Sequence, residues 1–238
     1  MARARGRAAL SAGGDVELVV AANDEDAARL VARRLDEAAR AGGHLCLTGG
    51  STPRRAYELA AELDPDWSRV ELWWGDERCV PPDDPLSNYG MAARALLDLL
   101  GTPPAGVHRM PGELGPEEGA AAYERELGDT RFDLLLLGMG ADGHVASLYP
   151  LQPTLAETER RVVGAEAKLE PFVDRITVTL PVLNASRELL FLIAGADKAD
   201  AVARAFAGEP SAATPASLAR SVDGTTTVVL DHAAASRL

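Results

Sequence analysis

Lysine is almost missing from this chain. Lys168 and Lys198 are two of 24 basic residues, and the other 22 (24 − 2) are arginine. A compact ammonium and a planar guanidinium are not interchangeable at every site, so each lysine is worth inspecting. Cysteine is as scarce, with Cys46 and Cys79 alone. Two thiols without metal-ligand spacing exclude a disulfide framework and point to a reducing compartment. Cys46 lies in the apolar run Leu45-Cys46-Leu47 and is expected in the core. No apolar run is long enough to span a membrane. The basic start, Met1 to Arg7, lacks the apolar core and cleavage pattern of a signal peptide. A frayed segment over residues 1–14 and a cytoplasmic protein are the expectations. Positive charge is also short: 36 acidic residues against 24 basic ones leave a net charge of −12. Such a surface repels nucleic acid and anionic membranes, and it attracts no phosphorylated ligand from a distance. Any anion site has to be built locally.

What the chain does have is length and rhythm. With 238 residues, 47% of them hydrophobic, it can bury one continuous core, and it reads as a single domain over 1–238. Strand patterns at 16–21, 45–47, 70–74, 132–137, 176–180, 189–194 and 228–230 alternate with helical ones. The helices are expected at 24–41, 52–63, from a Ser87 cap through Leu100, at 116–127 and at 197–207. The strand at 176–180 alternates apolar residues with Thr, so it is expected to be half exposed. This succession predicts an α/β fold with a doubly wound, mostly parallel sheet and helices on both faces. The Pro- and Gly-rich stretches at 81–85, 102–116 and 209–215 read as surface connections, and no internal repeat is present.

Four of the apolar strands run into loops that carry chemistry. Thr48-Gly49-Gly50-Ser51-Thr52-Pro53 combines two glycines, two hydroxyls and a helix start, which together suit a phosphate cradle. Gly75-Asp76-Glu77-Arg78 follows a Trp-rich strand, offering two candidate acid/base carboxylates and an anion clamp; Ser87-Asn88-Tyr89 either folds back over it or caps the next helix. Gly138-Met139-Gly140-Ala141-Asp142-Gly143-His144 follows a run of four leucines and presents an Asp and a His two residues apart. Imidazole exchanges protons near neutral pH, and a nearby carboxylate can set its tautomer or orient a substrate. Gly195-Ala196-Asp197-Lys198 puts a lysine in the first turn of a helix, where a cation is unfavourable with the helix dipole unless an anion is near. Arg175 precedes a strand and is placed to reach the same rim, or else is a surface arginine. In open α/β sheets, ligands bind at the carboxyl ends of strands, where all four loops lie. Together they predict an active site for a phosphorylated small molecule.

These segments resemble the 6-phosphogluconolactonases. The matching stretches are Leu47 to Pro53, Trp74 to Arg78, Pro81 to Pro85 with Ser87-Asn88-Tyr89-Gly90, Gly138 to Pro150, and Arg175-Ile176-Thr177 to Leu183-Asn184, in order along nearly the whole chain. Tyr149 departs from the Phe expected there, adding a hydroxyl. The resemblance implies a glucosamine-6-phosphate deaminase-like fold. It implies hydrolysis of 6-phospho-D-glucono-1,5-lactone without metal or organic cofactor; a monomer or weak dimer is the expectation for the assembly. It makes His144 the general base and puts the phosphate on Gly49, Gly50, Ser51, Arg175 and Lys198. It places Asp142 and Arg78 at the sugar end, with Asp76 and Asn88 as further site residues. The oxyanion donor is left open between Arg78 and the loop amides. So is the choice for Asp142 between orienting His144 and binding sugar hydroxyls. An amino-sugar-phosphate isomerase/deaminase would carry an acid after the Asp-Gly-His turn, whereas this chain reads Ser147-Leu148-Tyr149-Pro150. A sugar-phosphate sensor would need a DNA-binding extension, which the short stretch ahead of Val16 is not expected to hold. No Gly-x-Ser-x-Gly elbow supports a covalent serine route.

Overall fold

The computed structural model describes residues 16–168 and 170–238. The expectation for residues 1–14 lies outside them. Seven strands form one sheet: β1 (Val16–Ala21), β2 (Gly43–Leu47), β3 (Val70–Trp74), β5 (Gly106–His108), β6 (Leu134–Leu137), β9 (Glu188–Ile193) and β10 (Thr225–Asp231). Their order is β1-β10-β9-β6-β2-β3-β5, and every pair is parallel. Leu134 to Leu137 are all buried, as a central parallel strand covered on both faces requires. The faces are sorted by the pleat of β3. Tyr123 of α4 (Pro116–Leu127) meets Trp73 edge-on, while Tyr89 of α3 (Asn88–Ala95) meets Trp74, whose side chain projects the other way. Helices α1 (Asp24–Ala41) and α2 (Ser51–Leu63) pack on each other, and α2 also packs on α3. Among the described residues, no helix is long and apolar enough to cross a membrane.

The order turns at β2. From there the chain moves outward to β3 and β5, then returns to the other side of β2 with β6, β9 and β10. The loops leaving β2 and β6 therefore diverge from a common crevice, the topological switch point at which such sheets bind ligands.

A second, three-stranded antiparallel sheet is the main departure from expectation. It comprises β4 (Asp76–Arg78), β8 (Arg175–Val178) and β7 (Val162–Ala165), in the order β4-β8-β7. Asp76 to Arg78, expected as a loop, is thus a strand. The Arg175–Val178 strand, expected to be half exposed, is fully buried. Thr177 is tolerated there because its hydroxyl donates to Val178 O at 3.0 Å and accepts from Ser147 N at 3.2 Å. The helix begun at Ser87 ends at Ala95 instead of reaching Leu100, and a short α5 (Leu180–Ala185) follows β8 directly.

The edge strand β5 is held by an ionic clamp. His108 stacks on Trp73 at 3.9 Å, and its ring nitrogens meet Glu126 at 2.7 Å and Glu71 at 2.8 Å. Burial pulls the imidazole pKa down, but the two carboxylates outweigh it and raise it above the ordinary histidine value. A raised folded pKa means the clamp's stabilisation is complete below the unfolded value and is lost as pH rises through the folded one. His108→Gln is therefore expected to lower Tm most at about pH 5.5 and least at about pH 8.5, read from paired melting curves.

Candidate active site

The strand-end loops enclose a cavity of about 250 Å³, lined by residues 48–53, Asp76, Arg78, Asn88, parts of 138–146, and 192–194 with Lys198. Seven expected residues that line this cavity are Gly49, Gly50, Ser51, Asp76, Arg78, Asn88 and Lys198, and His144 is the eighth.

The first wall is the β2–α2 loop. Tyr57, buried in α2, donates its hydroxyl to Thr48 O at 2.7 Å and accepts from Thr48 N at 3.0 Å, so both backbone polar groups of the first residue past β2 are fixed. Gly50 sits at φ 111°, a conformation that favours glycine. The next residues open α2 with no side-chain cap and no acid in the first turn. The other long helices differ: α1 has Asn23 and three acids, and α4 has Glu117 and Glu118. The amides of Ser51 and Thr52 have no intrahelical acceptor by position, and they carry the positive end of the α2 dipole at the cavity wall. Gly49 is small for a different reason. A Cβ there would overlap the Asn88 side-chain amide, which is held by Asp76 O at 2.9 Å. Gly49→Ala is expected to cost about 1–3 kcal/mol, seen as a lowered Tm.

The second wall is β4. Adjacent residues of a strand point to opposite sides, and that alternation divides the three charges. Asp76 and Arg78 line the cavity, while Glu77 turns away and is buried. Its carboxylate accepts from Arg78 N and Asn88 N at 2.7 Å, Tyr89 N at 2.8 Å and Ser87 Oγ at 3.0 Å. Burial pushes the Glu77 carboxyl up, and these donors pull it only part of the way back. Glu77, expected as an acid/base candidate, instead caps α3 and pins it to β4. Asp76 Oδ2 accepts from Ser147 Oγ at 2.8 Å, tying β4 to the third loop. Arg78 donates Nη1 to Leu86 O at 2.6 Å.

The third wall carries the acid–imidazole pair. Asp142 Oδ1 meets His144 Nδ1 at 2.6 Å and also accepts His144 N at 3.1 Å. Burial acts to raise the Asp142 carboxyl, but the hydrogen bonds and charge of His144 outweigh it and hold it below its ordinary value. Asp142 itself stands behind the imidazole and is not part of the lining. Gly143 closes the turn at φ 93° against Thr214, and Tyr149 packs its ring 5.0 Å from the imidazole.

Arg175 is not part of this site. It is buried, absent from the lining, and donates to Val173 O at 2.5 Å and Pro171 O at 3.2 Å. Its guanidinium straps the segment ahead of β8. Ser147 and Tyr57 were not singled out from sequence. The available signal for Tyr57 was weak: a tyrosine on the apolar face of α2, whose buried hydroxyl needs a partner.

A parallel sheet with a crevice at its switch point, a bare helix end and a carboxylate-backed histidine define an α/β protein whose candidate site lies at the carboxyl ends of its strands. Residues 20–228 match the family of glucosamine-6-phosphate isomerases/6-phosphogluconolactonase, to which the chain belongs. It is 43% identical over 235 residues to the 6-phosphogluconolactonase of Streptomyces coelicolor, covering 89% of this chain and 88% of that one. The solved 6-phosphogluconolactonase from Trypanosoma cruzi superposes with a TM-score of 0.83 at 26% identity, over 93% of this chain and 96% of that one. A monomeric glucosamine-6-phosphate deaminase of the NagB superfamily shares the fold, with a TM-score of 0.81 at 23% identity over 93% and 99% of the two chains.

Proposed function

We propose that this chain hydrolyses 6-phospho-D-glucono-1,5-lactone to 6-phospho-D-gluconate, with His144 as general base. The observation that carries this reading is one cavity holding both an anion cradle and a carboxylate-backed imidazole. The cradle is the bare N-terminus of α2 together with Lys198.

An ionised Asp142 can only accept a hydrogen bond, so the proton belongs on Nδ1 and the lone pair on Nε2. Nε2 takes a proton from water as the water oxygen bonds to the lactone carbonyl carbon. The resulting oxyanion collapses, the bond from that carbon to the ring oxygen breaks, and the imidazolium returns the proton to the departing oxygen. Arg78, which lines the cavity and keeps donors beyond the one given to Leu86, is the oxyanion donor in this reading. The phosphate held at Ser51, Thr52 and Lys198 keeps the ester in register. Ser147 is no competing nucleophile, because it is buried and does not line the cavity.

The deaminase reading shares the fold, but the acid it would carry after the Asp-Gly-His turn is missing, and Tyr149 of Ser147-Leu148-Tyr149-Pro150 packs its ring there on His144. The two are separated by their products. Opening a lactone to a carboxylate releases one proton, and a deaminase releases ammonium. At constant pH, the expected result is proton release from the phosphorylated lactone well above the spontaneous rate, with no ammonium from glucosamine 6-phosphate. Ammonium release without lactone acceleration would overturn the proposal.

A further inference from the structure

Asp231 is a buried acid with no part in this mechanism. It is the last residue of β10 and is almost fully buried, and the described ion pairs give it no cation. Its partners are backbone amides. Both carboxylate oxygens face Gly195 N, at 3.1 and 3.2 Å, and Oδ1 also accepts from Ala234 N at 2.7 Å.

The register explains the reach. β9 and β10 run parallel with Leu230 opposite Ile193, so Asp231 stands one step past the last pair, where the β9 loop leaves the sheet. Gly195 adopts φ 105°, and its carbonyl accepts from Lys198 N at 3.1 Å, closing the turn at Ala196–Lys198. The Asp231 carboxylate thus fixes the Gly195 amide, and the Gly195 carbonyl fixes the backbone of Lys198. Lys198 in turn lines the cavity, with Nζ 3.3 Å from Asp197.

We propose that Asp231 is a positioning residue for Lys198, a proposal that rests on the reading of Lys198 as a phosphate ligand. A charged acceptor on a backbone amide makes a stronger bond than a neutral one. It holds the turn in its binding geometry before the ligand arrives, which removes an ordering cost from association.

Asp231→Ser separates this role from a merely structural one. A serine hydroxyl can still accept from the amide three residues on, as a cap does, which preserves the Ala234 contact but not the reach to Gly195. Expected is a KM for the phosphorylated lactone raised about three- to tenfold, an inhibition constant for inorganic phosphate raised equally, and kcat within about twofold. Asp231→Asn keeps an oxygen at the Oδ1 position for both amides but loses the charge, and is expected to bring KM part of the way back. In a Lys198→Ala background, Asp231→Ser is expected to add nothing further. In the unmutated protein the Gly195 amide is expected to exchange with deuterium more slowly than those of Ala196 and Asp197. An unchanged KM, the same rise in the Lys198→Ala background, or fast exchange of Gly195 would each overturn the proposal. Failure of the underlying reading shows separately, as a Lys198→Ala protein whose KM and phosphate inhibition match the wild type.

Discussion

His144→Ala is expected to lower kcat on the phosphorylated lactone by about 10²–10⁴-fold, the usual contribution of a positioned general base. KM should change little, because the proposed base acts on water and carries none of the phosphate binding. Stability should also hold to within about 1 kcal/mol. The imidazole side chain is 25% exposed, and its loss leaves a carboxylate that is itself 34% exposed, so no buried charge is stranded. Steady-state kinetics beside a melting curve checks all three. A near-wild-type kcat in a folded variant would remove His144 from the mechanism, whatever the geometry of the pair.

Lys198→Ala is expected to raise KM by roughly 10- to 100-fold with kcat nearly unchanged, the weight of a charge-assisted hydrogen bond made equally in ground and transition states. The effect should be specific to phosphorylated substrate. With net charge −12 the surface does not concentrate anions, so affinity has to come from local groups. Lys198 and the α2 amides are the positive elements that the cavity offers beside Arg78. A fall in kcat matching the rise in KM would move Lys198 from phosphate binding to the reacting ester.

Much of this was readable from residue order. The four-leucine run followed by glycine read as a buried strand leaving a sheet, and β6 is that strand. The strand-end loops converge because parallel strands end at the same side of a sheet, which the βαβ rhythm already implied. What escaped was the small second sheet. Asp76-Glu77-Arg78 has no apolar signature, and its strand character exists only through pairing with β8. That omission carried two errors with it. Without the strand, nothing separated Glu77 from its neighbours, although the pleat turns it to the opposite side. Arg175, paired across the ladder with Arg78, read as a rim cation while its guanidinium is bonded to the carbonyls of residues 171 and 173. Asp231 left no local trace either, because its partner Gly195 lies 36 residues away.

The most direct measurement compares freshly generated 6-phosphogluconolactone with unphosphorylated gluconolactone as substrates for the wild-type chain. Product formation can be followed by coupling the acid to its oxidation. Both esters offer His144 the same carbonyl, but only one carries the group that the α2 end and Lys198 are proposed to hold. The predicted result is enzymatic opening of the phosphorylated lactone with kcat/KM at least about 100-fold above that for gluconolactone. Equal turnover of the two, or no acceleration of either over spontaneous hydrolysis, would contradict it.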